Sequence, residues 1–154
     1  MILHAWRIVD AEFASDAFTG EGARIYGGRW NSKGIPMVYC ASTLSLATLE
    51  ILVHLTSDDI LREFVQCEAA FDDRLVQNAG PLPADWRASP PPAQLKTIGD
   101  LWVANRSSAV LRVPSTVTRS EDNYLLNPRH PDFKHIRIRP KQTIKLDQRL
   151  KNGR

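Results

Sequence analysis

Cysteine is scarce in this chain. There are two, Cys40 and Cys67. With no short spacing between them they form neither a disulfide framework nor a zinc site. Both lie in apolar segments and read as buried free thiols, as expected in a reducing cytoplasm. Long apolar runs are missing too, since none approaches the roughly 20 residues of a membrane span. The stretch Met1 to Asp10 lacks a basic start and meets Arg7 and Asp10 too early for a secretory signal. The chain also lacks the clustered Lys and Arg of a non-specific nucleic-acid binder: 20 basic and 17 acidic residues intermix up to about residue 133, for a net charge of +3. These absences point to a cytoplasmic protein that contacts neither membrane nor nucleic acid directly. No cluster of metal ligands is visible, so no metal is expected.

What remains is an ordinary globular composition, 43% apolar and 24% charged over 154 residues. That length fits a single domain spanning 1–154. The segment Lys134 to Arg154 is basic, with Asp147 as its lone acid. It reads as a solvated edge strand and tail, or as a docking surface for an acidic partner.

Residues 2–9 alternate with β-branched ends and predict a strand. The Gly-containing stretch from Ser15 to Asn31 has no helical period and predicts an ordered loop, with a short strand at Arg24–Tyr26. Residues 35–41 predict a second strand. A helix follows from about Ser42 to Leu55, capped by Ser42 or Thr43. It is apolar nearly all round, which predicts burial, and Glu50 sits in its middle. Residues 62–71 predict a strand, and the five prolines between 79 and 92 a loop. Ala93 to Asn105 reads as a helix and Ala109–Val113 as a strand. Asn123 to Pro131 reads as turn-rich, and Phe133–Arg139 and Thr143–Leu146 as final strands. The order implies α+β with a mixed central sheet and flanking helices.

Glu50 shares a narrow helix face with Thr43, Ala47 and His54. A carboxylate there requires a partner. It is either tied structurally to an arginine or is a site carboxylate. Arg29, in Gly27-Gly28-Arg29-Trp30-Asn31, is a candidate partner, and its fork also suits phosphate. Tyr39, just before the helix, either packs in the core or stacks on a flat ring with its hydroxyl free to bond. Ser115 follows Pro114 at a strand end, where it reads as exposed and either caps a turn or serves a site. No Ser–His–Asp ordering supports a hydrolase nucleophile.

The runs GGRWN, GIPMVYCA and SLATLEILVHL, with Trp6-Arg7, LRVPS at 111–115, NYLLNP at 123–128, HPDF at 130–133 and DQRL at 147–150, resemble the RES-domain toxins of bacterial RES–Xre toxin–antitoxin pairs. The motifs keep the family's order and span nearly the whole chain; residues 56 to 108 match loosely. The resemblance implies a fold like that of ADP-ribosyltransferase toxins, with NAD⁺ bound in a cleft as substrate. It implies cleavage of the nicotinamide–ribose bond by water or phosphate, or alternatively ADP-ribosyl transfer to a protein. It implies an Xre-family helix-turn-helix antitoxin covering that cleft, and it allows a homodimer. Carried over, the family's arginine is Arg29, its glutamate Glu50 and its serine Ser115. Tyr39 is the tyrosine before the helix, and Arg7, Tyr26 and Asn123 match weaker NAD⁺-binding positions. A ribonuclease or RNA-binding reading lacks a catalytic cluster or stacking platform.

Overall fold

The computed structural model describes residues 1–151. Two alternating, apolar strands build one half of its sheet. β1 (Ile2–Asp10) and β3 (Phe64–Asp72) pair antiparallel over their full length, from Ile2 opposite Asp72 to Asp10 opposite Phe64. The short strands β7 (Arg137–Ile138) and β8 (Gln142–Ile144) both add to the outer edge of β3. The other half contains β2 (Val38–Ala41), β4 (Val76–Asn78), β5 (Val110–Pro114) and β6 (Asp122–Leu126), in the order β4-β5-β6-β2. Among the described residues only β4 and β5 run parallel, so the sheet is mixed, as expected for α+β.

The halves meet at one register pair, Trp6 opposite Ala41. Elsewhere β1 and β2 part, and both strands line the opening. α2 (Leu44–Leu52) and α3 (Ala93–Ala104) cover one face. Leu46, Ala47 and Leu52 of α2 pack on Ile8, Ala41 and Phe64; Leu95, Trp102 and Val103 of α3 pack on Leu111, Val113 and Leu125. Each such large apolar side chain contributes roughly 1.5–3 kcal/mol by leaving water. On the opposite face Phe71 meets Tyr124 edge-on, with ring centroids 5.4 Å apart. No helix among the described residues is long and apolar enough to cross a membrane.

Several local expectations change. Ser15–Asn31 is a loop only in part: after a 3-10 helix (Ala11–Asp16) it forms α1 (Glu21–Tyr26), so Arg24–Tyr26 is helical, while Gly27–Asn31 is the ordered loop expected. Gly20 (φ 74°) and Gly27 (φ 71°) bracket α1, and Arg24 pairs with Glu21 one turn back. One turn and a half is too short to show a period. The supposedly turn-rich Asn123–Pro131 begins inside β6, a central strand whose polar start and Asn-Pro end disguise Tyr124, Leu125 and Leu126. Thr43 is the cap of α2, accepting from the Leu46 N–H at 3.0 Å. α2 is not buried all round, since Leu49 and Val53 are exposed. Phe133–Arg139 begins in a 3-10 helix (Pro131–His135), and only Arg137 and Ile138 of it are strand, as β7. β4 is too short to be read from sequence. Arg137, Arg139 and Lys141 are exposed at the β3 edge, as for a solvated strand; Arg154 lies outside the described residues.

Candidate active site

The GGRWN loop is staked down by its own polar atoms. Gly27 ends α1 with positive φ, and Gly28 has no space for a side chain, since an added Cβ would sit 2.6 Å from the Tyr39 hydroxyl. Asn31 is fully buried. Its amide nitrogen donates to the carbonyls of Ala23, Ser32 and Ile35, and its oxygen accepts from the Tyr39 hydroxyl at 2.7 Å. The Trp30 N–H donates to that hydroxyl at 3.0 Å. The Tyr39 hydroxyl is therefore taken, contrary to the sequence-based alternative of a free one, and burial drives its pKa well above the usual phenol range. Asp100 of α3 completes the brace by accepting from the N–H and hydroxyl of Ser32.

Beside this loop lies a cavity of about 690 Å³ at the opening between β1 and β2. That size suits a small-molecule site, typically roughly 300–1,000 Å³. Arg7, Tyr26, Arg29, Tyr39, Glu50 and Asn123 all line it. Ser115 does not. It is fully buried, not exposed, because the chain turns tightly after β5 and the Ser115 hydroxyl accepts from the N–H groups of Val117 and Thr118. The hydroxyl also donates to Glu50 Oε1 at 2.8 Å. Asn123, on β6, donates its amide N–H to the same oxygen at 2.7 Å. Both donors thus converge on Oε1 and leave Oε2 outside the pair.

Arg29 is not the partner of Glu50. Its Nη1 donates to the backbone carbonyls of Trp86 and Ala88, both at 3.1 Å. The fork is spent in part on holding the proline-rich segment as a wall of the cavity, whose rim includes Pro91. Arg87 ties the same segment to the carbonyl of Thr116. The carbonyl partners of Arg29 left no trace in the sequence, because any residue type supplies them. Arg7 differs. Among the described residues no hydrogen bond or ion pair reaches its guanidinium, and its Nε is buried without a partner. A half-buried guanidinium in that state favours an anion. Tyr26 stands at the rim, 79% exposed. The cavity therefore offers the Glu50 carboxylate held by two donors, two arginines and aromatic walls, with Asp16 and the Arg24-paired Glu21 also in its lining. That set can hold a phosphorylated ligand and stabilise positive charge near it.

The RES domain family model matches residues 4–147. A protein named Toxin Res from Yersinia enterocolitica is 43% identical over 130 residues, covering 83% of this chain and 86% of the relative. A Sphingobium protein named Prs ADP-ribosylating toxin is 38% identical over 152 residues, covering 94% of each. Among solved structures, the M. tuberculosis MbcT–MbcA toxin–antitoxin complex contains a chain that superposes with a TM-score of 0.77 at 18% identity, covering 98% of this chain and 87% of that one. At that identity the likeness is one of fold.

Proposed function

The chain belongs to the RES-domain family, and on that premise we propose that it is the toxin of a toxin–antitoxin pair, binding NAD⁺ and cleaving its nicotinamide–ribose bond. The observation that carries this reading is the Glu50 carboxylate, fixed by Ser115 and Asn123 in the same cavity as the unpartnered Arg7. When the bond between the ribose anomeric carbon and the ring nitrogen breaks, the electron pair stays on nitrogen and nicotinamide leaves neutral. Positive charge develops on the ribose, and a fixed carboxylate stabilises it, as in glycoside hydrolysis. An oxygen of water or phosphate then bonds to the anomeric carbon; water releases its proton to solvent. Arg7, with the part of Arg29 not bound to carbonyls, takes the pyrophosphate. Tyr39 forms a ring wall, and Tyr26 packs at the mouth.

A second reading keeps the site and changes the acceptor to a protein side chain. The Sphingobium relative favours it, since its name describes ADP-ribosylation. Incubation with NAD⁺, with and without phosphate and with candidate protein acceptors, separates the readings by product. Intact NAD⁺ under all conditions, with no binding by NMR, overturns both.

The partner in this proposal is a helix-turn-helix antitoxin of the Xre type that fills the cleft. The exposed Tyr26 and Val53 give the mouth an apolar rim for such a contact. A complex with the partner seated far from Arg29 and Glu50 overturns direct occlusion.

A further inference from the structure

We infer that Asn123 is a positioning residue for Glu50, acting with Ser115 to hold one carboxylate oxygen so that the other faces the ligand. This rests on the NAD⁺-cleaving reading above, but its geometric half stands independently of it. A carboxylate only accepts, so the Asn123 group 2.7 Å from Glu50 Oε1 must be the amide nitrogen. That choice fixes the whole amide and turns its oxygen away. The oxygen is buried and has no hydrogen-bond partner among the described residues.

A central strand seldom carries an asparagine. Asn123 pairs with Val113 on one side and Ala41 on the other, where a β-branched or aromatic residue packs better. An unmet buried acceptor adds to that penalty. Stability therefore does not account for Asn123; its one side-chain bond, to Glu50, does. The doubly paired backbone gives the amide little freedom, and the Ser115 hydroxyl is fixed in turn by Val117 and Thr118. Glu50, carried on α2, is thus referenced to β6 and to the end of β5. A carboxylate held in this way needs no reorganisation when charge develops beside it. Asn123 lines the cavity, but its amide nitrogen is bound to Glu50 and its oxygen is buried, so its action passes through Glu50.

The test compares the wild type with Asn123→Ala and Asn123→Asp, by nicotinamide release, thermal melting and a crystal structure. Asn123→Ala removes a bond to a charged group and should lower kcat about tenfold to a hundredfold, with KM within about twofold and no fall in melting temperature. Asn123→Asp keeps the shape but sets a second acceptor against Oε1, and should lose more. In the Asn123→Ala crystal Glu50 should leave the Ser115 hydroxyl or occupy several rotamers. A raised KM with unchanged kcat would show substrate contact and overturn the inference. A lower melting temperature with normal turnover of the folded fraction would reduce Asn123 to a structural role. If the wild type releases no nicotinamide, the NAD⁺ reading fails and the crystal decides: an unmoved Glu50 overturns positioning, and a displaced one sustains it.

Discussion

The Ser115 hydroxyl donates to Glu50 Oε1 across 2.8 Å, joining the end of β5 to the middle of α2. The bond brings together two of the residues that the family resemblance singles out and leaves the third, Arg29, bound elsewhere. Among the described residues no arginine pairs with Glu50, so Ser115 and Asn123, not an arginine, hold this carboxylate.

Glu50→Gln follows from that arrangement. Glutamine keeps an oxygen for Ser115 and Asn123 and removes only the charge. Nicotinamide release should fall on the order of 100-fold or more. The melting temperature should hold, because no cation is left unpaired. Calorimetry beside NAD⁺ turnover on one preparation checks this, and a large loss of stability with normal turnover in the folded fraction would end the catalytic role.

The two arginines should separate in the same assays. Arg7→Met removes a guanidinium without a protein partner. It should weaken NAD⁺ binding by roughly 1.5–3 kcal/mol, the scale of a charge-assisted hydrogen bond, while the fold stays as stable or gains. Arg29→Lys keeps charge but removes the Nη1 that donates to both the Trp86 and Ala88 carbonyls. Binding and melting temperature should fall together. Equal effects of both changes on stability would contradict the division of labour between them.

How much of this could be read beforehand depends on the length scale of each feature. β1, β3 and α3 were legible because each runs long enough to show its period. α1 was not, since glycine bounds it at both ends, nor was β6, whose apolar core is only Tyr124 to Leu126. The site divides similarly. GGRWN and Glu50 announce themselves by residue type and spacing. The bonds that orient Glu50 join residues 65 and 73 positions apart, and only the fold decides them. Ser115 is buried where the sequence predicts exposure for the same reason, because a turn that buries its own serine looks like any Pro-Ser strand end.

Gly99 gives a stability prediction that no motif suggests. A Cβ added there would lie 1.7 Å from the Trp30 carbonyl oxygen, where α3 packs directly on the GGRWN loop. Gly99→Ala must push helix and loop apart. It should cost roughly 3 kcal/mol, near the top of the usual overpacking range. NAD⁺ affinity should fall as well, because Arg29 precedes the displaced residue. Urea unfolding and binding calorimetry measure the two effects. A variant of wild-type stability would mean that α3 is free to move away from the loop.

Alkaline pH provides the last prediction. Burial pushes the Cys40 thiol from its ordinary value of 9.0 up to about 12. In the unfolded chain the thiol ionises from about pH 9, whereas in the folded protein it keeps its proton for about three more units. Across that window the unfolded state binds fewer protons, so stability is intact below pH 9 and declines as pH rises towards 12. One thiol contributes a slope of up to about 1.4 kcal/mol per pH unit. Cys67, also buried and shifted upward, adds in the same direction. Cys40→Ala should lower stability at pH 7 through lost packing, yet flatten the decline above pH 9. Urea unfolding of both proteins at half-unit steps from pH 8 to 11 isolates the thiol, since lysine and tyrosine titrations are common to the pair and cancel in the difference. Parallel curves would show that the unfolded and folded thiols ionise together, and the burial argument for Cys40 would fail.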